Sequence, residues 1–149
     1  MTRLHAPIRL RWNDLDAYGH VNNAAMLVLL EEARIEAFWG ASERSAIDDP
    51  STLWLVARQE VEYLLPIPYQ GAPLDVQLWL GRLGGASLDV CYEVRSPAGV
   101  EPSVEYARAA STIVLVDAGT QRPRRISPEE REAWGAFVEE PVVFTKRPA

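Results

Sequence analysis

The sequence lacks several features that mark common functional classes. Cys91 is the only cysteine among 149 residues, so an intrachain disulfide and a cysteine-rich metal site are both excluded. The longest apolar run, residues 24–30, is far shorter than the ~20 residues that a membrane-spanning helix needs. With 15 basic side chains against 21 acidic ones, the charge balance disfavours nucleic acid as a partner. The N-terminal residues carry no secretion signal, and we therefore expect a cytoplasmic protein without a membrane partner.

The chain does contain enough apolar material for one folded domain over residues 1–149. Hydrophobic residues make up 48% of it, which argues against disorder. No internal repeat, linker or low-complexity block divides the sequence. A chain of this length can bury a sizeable core, so we predict a single domain.

The first third of the chain predicts a short strand and a long helix. Residues 8–12 alternate apolar and basic side chains as a strand does, and residues 13–19 are rich in turn formers. A helix is predicted from about Asn23 to Phe38 or Trp39, ended by Gly40. Its first half is apolar on every side, so we expect that half to be buried all round.

The remainder predicts four strands and a short helix. Apolar residues recur with a period of two from Leu53 to Tyr63, and again over residues 74–80, 88–94 and about 103–116. Prolines 66, 68 and 73 separate the first two of these strands. The pair Gly84-Gly85 predicts a hairpin with positive φ between the second and third strands, and residues 97–99 predict the turn before the last strand. Ser127 to Glu130 forms a capping box that begins a helix ending near Phe137. We predict an α+β fold, in which an antiparallel sheet of about five strands packs on the long helix.

Residues 9–23, RLRWNDLDAYGHVNN, hold the side chains best suited to chemistry. They place two carboxylates, Asp14 and Asp16, in a turn and then lead into a helix start. The first turn of a helix has N–H groups without intrahelical partners, which can polarise a carbonyl group for attack. An aspartate in such a turn can equally serve to cap its own backbone, and spacing alone favours that structural role.

This motif and the order of elements resemble the hotdog-fold thioesterases of the 4-hydroxybenzoyl-CoA thioesterase class. The match is strongest in DLDAYGHVNN, followed eight residues later by EEAR, and weaker in GGASLDVCYEV and ASTIVLVD. It covers roughly residues 8–136. The resemblance implies a curved antiparallel sheet that wraps one central helix. It also implies a homodimer or homotetramer with active sites at subunit interfaces, and no cofactor or metal.

The resemblance implies hydrolysis of an acyl-CoA thioester to a free acid and coenzyme A. Asp16 corresponds to the catalytic carboxylate, acting as nucleophile or as general base for water. Backbone N–H groups near Asn23 or Ala24 are expected to stabilise the oxyanion. The Asn23 side chain is a candidate to hold the attacking water or the thioester oxygen. His20 is either a base or, more in keeping with its position before the helix, a residue that orients the loop.

Other residues are candidates for binding the substrate. Coenzyme A carries phosphates and a pantetheine arm, which arginine and hydroxyl side chains can meet, although surface arginines are usually only solvated. The predicted substrate-binding set comprises Gly19, Asn22, Ala24, Met26, Arg58, Arg82 and Ser87. Three positions depart from the related enzymes, since Trp12 replaces a tyrosine, Asn23 a histidine and Met26 a frequent aromatic residue.

Three alternatives to acyl-CoA hydrolysis remain open at this point, of which a purely structural assembly partner is the least favoured because it leaves the Asp16 cluster unexplained. The replaced histidine and tyrosine favour a non-catalytic module that binds acyl thioesters or fatty acids. A thioesterase whose donor is acyl carrier protein instead of coenzyme A would use the same residues.

Overall fold

The computed structural model describes residues 2–39 and 51–147. One five-stranded antiparallel sheet contains all the strands of these residues, in the order β1-β3-β4-β5-β2. The predicted α+β architecture is thereby confirmed. The elements are β1 (Leu4–Ile8), α1 (Asn23–Trp39), β2 (Thr52–Tyr63), β3 (Leu74–Leu83), β4 (Ser87–Arg95), β5 (Glu105–Asp117) and α2 (Pro128–Gly135).

Helix α1 packs across one face of the sheet. Its buried residues recur every three or four positions, which gives a single apolar stripe: Met26, Leu29, Leu30, Ala33 and Ala37. Alternate residues of β3 and β4, among them Leu78 and Val90, are buried in the same core. A sheet wrapped on one helix is the hotdog arrangement that the resemblance implied.

Two expectations about the first third of the chain are wrong. The strand lies at Leu4–Ile8 instead of residues 8–12, because residues 12–14 form a 3-10 turn. The first half of α1 is buried on one side only, since Leu27 is 40% and Val28 49% exposed. The predicted extent of α1 is confirmed, while Gly40 lies outside the described residues.

The hairpin between β3 and β4 forms where it was predicted, but for a different reason. Positive φ occurs at Gly19 and Gly99 among the described glycines, and not at Gly84 or Gly85. The Gly84 N–H donates to the Ser87 carbonyl oxygen at 2.7 Å. A Cβ at Gly84 would collide with the Arg82 side chain and lie 3.0 Å from that carbonyl oxygen. Glycine is needed here for space.

A bulge in β2 changes which side chains face the helix. The register with β5 shifts between Val56 and Arg58, so one extra residue stands in β2. Before the shift Trp54 and Val56 lie on the α1 side of the sheet, and after it Tyr63 does. The residues of β2 that face α1 are therefore even-numbered before the bulge and odd-numbered after it, whereas strict alternation would keep them all even-numbered or all odd-numbered.

The chain after α2 crosses the other face of the sheet, which we call the outer face. Residues 140–145 contact Trp79, Arg108 and Glu62 there. The capping box of α2 is confirmed, since Ser127 Oγ accepts from the Glu130 N–H at 3.1 Å and Glu130 Oε1 from the Ser127 N–H at 2.8 Å. Beyond α2, the Trp79 indole N–H donates to the Glu140 carbonyl oxygen at 2.8 Å. Of the helices described, neither combines the length and apolar character needed to cross a membrane.

Candidate active site

Asp14 ties the loop before α1 to the start of the helix. Its side chain is 2% exposed and accepts from the Arg11 backbone N–H at 2.7 Å and from the Arg11 guanidinium at 2.9 Å. Its carbonyl oxygen accepts from the Asn22 N–H at 2.8 Å. All of these bonds hold the loop in place, so Asp14 has a structural role.

Asp16 uses only one of its carboxylate oxygens to hold the turn. Oδ1 accepts from the N–H groups of Tyr18 at 2.8 Å and His20 at 3.2 Å, around a turn in which Gly19 adopts φ +78°. Oδ2 accepts no hydrogen bond from a described residue. The side chain is half-buried and lies on the wall of a cavity. One oxygen thus fixes the carboxylate while the other is left for a ligand.

The start of α1 offers one open N–H group beside this carboxylate. Asn22 is the N-cap, because its Oδ1 accepts from the N–H groups of Ala24 at 2.8 Å and Ala25 at 3.3 Å. The Ala24 N–H, which the sequence suggested as an oxyanion donor, is therefore already occupied. The Asn23 N–H makes no hydrogen bond to a described residue, which leaves it able to meet a substrate oxygen.

The cavity beside Asp16 has a volume of about 350 Å³ and is mainly apolar. We call it the Asp16 cavity. At its edge the Tyr63 hydroxyl donates to the Asn23 carbonyl oxygen at 2.7 Å, which joins the end of β2 to the start of α1. Burial raises the pKa of Tyr63, so this hydroxyl is a donor at neutral pH. The lining consists of Asp16, His20, Val21, Asn23, Met26, Tyr63, Leu64, Leu65, Pro66, Ile67 and Tyr106.

His20 is held through its backbone and not through its ring. It forms an isolated antiparallel bridge with Pro68, and its N–H donates to Asp16. The imidazole makes no hydrogen bond to the part of the chain that the structure describes. The ring lies on the cavity wall, and its role as base or orienting residue stays a prediction.

Sequence reasoning missed residues 64–67, which are four of the eleven residues that line the cavity. Residues 64–67 follow β2, and the Val21 N–H donates to the Ile67 carbonyl oxygen at 2.9 Å. Prolines 66 and 68 were read only as a break between strands. Their restriction to extended backbone was the available signal that this segment could run alongside the Asp16 loop.

Of the predicted binding residues, the structure brings some together and separates others. Met26 lines the Asp16 cavity, whereas Gly19, Asn22 and Ala24 belong to the adjoining turn and helix start. The second predicted group lies elsewhere, on the outer face of the sheet: Arg58, Arg82 and Ser87.

A polar row across four strands accounts for the contacts of that second group. Arg82 donates to Asp89 at 3.0 and 3.1 Å and to Ser87 Oγ at 3.0 Å, while Thr112 donates to Asp89 at 2.9 Å. Arg58 stands opposite Thr112. Burial tends to raise the pKa of Asp89, but the bonds from Arg82 and Thr112 lower it overall. Within one subunit these residues do not reach the Asp16 cavity, and their binding of coenzyme A phosphates stays a prediction.

The described residues hold no cluster of metal-ligating side chains. Over residues 2–39 and 51–147, no group of three or more His, Cys, Asp or Glu side chains is arranged to bind a metal ion. The polar side chains that this part of the chain places at the Asp16 cavity are a carboxylate, an imidazole, an amide and two tyrosine phenols, beside the open Asn23 N–H.

Comparisons with known proteins agree with the fold. A model of the family described as the thioesterase-like superfamily matches residues 10–134. The structure of YbaW, a probable thioesterase from Escherichia coli, is 27% identical over 91% of this chain and 99% of its own, with a TM-score of 0.75. A thioesterase from Thermus thermophilus, solved in complex with coenzyme A and zinc, is 30% identical over 90% of this chain and 93% of its own, with a TM-score of 0.71. The YsmA protein of Bacillus subtilis is 29% identical over 86 residues, which span 57% of this chain but only 56% of that relative.

Proposed function

Since the chain belongs to the thioesterase-like superfamily, we propose that it hydrolyses an acyl-CoA thioester to a free acid and coenzyme A. The observation that carries this proposal is the position of Asp16. Its Oδ2 is free of hydrogen bonds from described residues, on the wall of an apolar cavity that also includes the start of α1. A carboxylate and an open amide beside a mainly apolar wall can support attack on a thioester carbonyl.

Asp16 acts in this proposal by one of two routes. As a general base, it takes a proton from a water molecule whose oxygen attacks the carbonyl carbon, and the carbon–sulfur bond then breaks. As a nucleophile, its Oδ2 attacks the carbon directly, coenzyme A leaves as the thiolate, and water hydrolyses the resulting anhydride. In both routes the thiolate leaving group is protonated to the free thiol.

The backbone at the start of α1 would stabilise the charge that develops on the carbonyl oxygen. The Asn23 N–H is the unoccupied donor there, and the positive end of the helix dipole adds to its effect. Loss of one such donor costs about 3–4 kcal/mol of transition-state stabilisation in other hydrolases. The Asn22 cap assists indirectly, because it keeps this turn of the helix in place.

The decisive variant is Asp16→Asn. The amide oxygen can still accept from Tyr18 and His20, so the turn should survive while the base or nucleophile is lost. We expect kcat to fall by about 10²–10⁴-fold with an unchanged melting temperature. Release of free thiol from a panel of acyl-CoA substrates measures this, and full turnover by Asp16→Asn would refute the mechanism. Carrier-linked substrates assayed in parallel separate coenzyme A from acyl carrier protein as the donor.

Labelled water tests for the nucleophilic route. In a single turnover with H₂¹⁸O, water that opens the anhydride at the Asp16 carboxyl carbon leaves ¹⁸O on Asp16 and passes the former Oδ2 to the product acid. Opening at the acyl carbon, like general-base catalysis, places the label in the product acid and leaves Asp16 unlabelled. Mass spectrometry of the peptide that contains Asp16 and of the released acid detects the first outcome, which only a nucleophilic Asp16 produces.

A non-catalytic acyl-binding module is the second candidate. One observation favours it, since no other described side chain forms a hydrogen bond with Asp16, so the carboxylate lacks a partner that would tune it. Tight binding of acyl-CoA without hydrolysis across the panel would select this candidate. Any turnover that depends on Asp16 would eliminate it.

We further propose that the protein works as a homodimer or homotetramer. Strand β2 is at one edge of the sheet, and apolar side chains on β2 and α1 are exposed beside it, including Leu55 and Val28. Open strand edges and apolar patches are usually covered in stable proteins. A second copy of the chain would cover this surface and complete a site at the subunit interface.

A further inference from the structure

A second cavity lies beside the C-terminal half of α1, away from Asp16. Its volume is about 270 Å³, and apolar side chains from α1, β2 and β5 form most of its wall. We call it the distal cavity. Its lining consists of Glu31, Arg34, Ile35, Phe38, Trp54, Val56 and Ile113. No residue of this set lines the Asp16 cavity, and the catalytic proposal above makes no use of them.

One side of α1 connects the two cavities. Residues four apart on a helix lie above one another on the same side. Asn23 lines the Asp16 cavity. Glu31 follows eight residues after Asn23, Phe38 follows seven residues after Glu31, and both line the distal cavity. Leu27 stands midway between Asn23 and Glu31 and is 40% exposed. An apolar side chain thus occupies the surface between the two cavities.

The bulge in β2 supplies the opposite wall of the same path. Val56 lines the distal cavity and Tyr63 lines the Asp16 cavity. These residues are seven apart, so a regular strand would place them on opposite faces of the sheet. The extra residue between Val56 and Arg58 brings both to the α1 side. Both cavities therefore lie between α1 and β2 on one side of the sheet, and we call the space between them the groove. Gln59, which accepts from Ser111 Oγ at 3.1 Å, lies on β2 between Val56 and Tyr63.

We propose that this groove holds the hydrocarbon chain of a long acyl substrate, with its thioester at Asp16 and its far end in the distal cavity. The proposal rests on the proposed thioesterase function and names its substrate class. Helix α1 rises by about 1.5 Å per residue, so Glu31 is about 12 Å and Phe38 about 22 Å beyond Asn23. An extended chain advances about 3.5 Å for every three bonds. Acyl chains should therefore enter the distal cavity at about ten carbons and fill it by about eighteen.

The aromatic end of the distal cavity sets an upper limit on chain length. The rings of Phe38 and Trp54 have centroids 6.4 Å apart, and Trp134 packs edge-on against Trp54 at 5.4 Å. Ile113 forms the floor and is 1% exposed. Each methylene transferred from water into such surroundings favours binding by about fourfold. Specificity should therefore continue to increase beyond ten carbons and stop where the aromatic rings close the path.

The test compares a variant that fills the distal cavity with a matched variant that does not. Ile35→Trp places a large ring in the cavity, whereas Glu36→Trp places the same ring on an exposed part of α1 outside it. Both are assayed with saturated acyl-CoA substrates from butanoyl to octadecanoyl, below their micellar concentrations. We expect Ile35→Trp to lower the ratio of kcat/KM for hexadecanoyl-CoA to that for hexanoyl-CoA at least tenfold. The Glu36→Trp ratio should equal that of the wild type.

Failure of this inference can be told apart from failure of the proposed function. An optimum below eight carbons, or an unchanged ratio in Ile35→Trp, overturns the groove while hydrolysis stands. If no substrate is hydrolysed, displacement of a fluorescent fatty acid by hexadecanoate and hexanoate tests the groove alone. Equal affinity for the two acids overturns it, and a tenfold loss for hexadecanoate in Ile35→Trp supports it. If a second copy fills the distal cavity instead, Ile35→Trp dissociates the oligomer, which light scattering detects and which also overturns the proposal.

Discussion

At the residue scale, two aspartates two positions apart have different environments. Asp14 is buried and satisfied by Arg11, whereas Asp16 is half-buried and keeps Oδ2 free of bonds from described residues. The sequence already suggested this division, because both acids flank a turn but only Asp16 corresponds to the catalytic position of the resembling enzymes. Which amide would face the substrate could not be predicted. That depends on the Asn22 side chain, which caps Ala24 and Ala25 and leaves Asn23 open.

The cap itself gives a prediction at this scale. Asn22→Ala removes the acceptor for two N–H groups and should lower the free energy of unfolding by about 1 kcal/mol. Asn22→Asp keeps an acceptor oxygen next to the positive end of the helix dipole and should retain most of the stability. Urea denaturation of the three proteins measures the difference. Equal stability of Asn22→Ala and wild type would show that the cap contributes nothing.

At the element scale, the sequence patterns correctly predicted those features of helices and strands that depend on residues close together in the chain. The extent of α1 and the capping box of α2 were correct, because caps and periodicity act within a few residues. The position of β1 was wrong because it is set by pairing with β3, where Ile8 stands opposite Leu74. Pro7 lies within β1, which is an edge strand, where a missing N–H is tolerated. The bulge in β2 likewise depends on β5, so no periodicity within β2 could reveal it.

Helix α2 gives a prediction about pH. Hydrogen bonds from Arg124, followed by those from Ser127, outweigh burial and hold the pKa of Glu130 below its usual value. A carboxylate whose pKa is lower in the folded state stabilises the protein above the unfolded pKa of about 4.3. This contribution is lost as the pH falls through the folded value. Glu130→Gln keeps an oxygen for the capping box but no charge, so it should cost about 0.5–1 kcal/mol at pH 7 and nothing near pH 2.

The neighbouring acid serves as the control for that experiment. Glu129 is in the same first turn but forms no ion pair with a described residue. Glu129→Gln should therefore leave the pH dependence of unfolding close to that of the wild type. Urea denaturation at intervals between pH 2 and pH 7 follows both variants. A constant difference between Glu130→Gln and wild type over this range would contradict the assignment to the carboxylate charge.

At the scale of the whole molecule, the sheet edge and the exposed side of α1 bear on assembly. The expectation that the first half of α1 would be buried all round was wrong for one chain, because Leu27 and Val28 face outward. Periodicity shows that a helix is apolar on every side but not which molecule covers each side. On β2, Leu55 is 48% exposed next to an edge with no further strand in the described chain. A second copy is the simplest cover for both surfaces.

A charge on this surface should prevent assembly. Val28→Glu would bury an unpaired carboxylate between subunits, a cost large enough to dissociate an interface of standard size, about 800 Å² per partner. Val100→Glu makes the same substitution at a valine of similar exposure, 45% against 49%, in the turn before β5. Light scattering at micromolar concentration should show an oligomer for the wild type and Val100→Glu, and a monomer for Val28→Glu. A monomeric wild type, or an oligomeric Val28→Glu, would contradict the interface. Because the α1–β2 groove borders the same surface, loss of the partner should also expose the groove to water, so the monomer should discriminate less between long and short acyl chains.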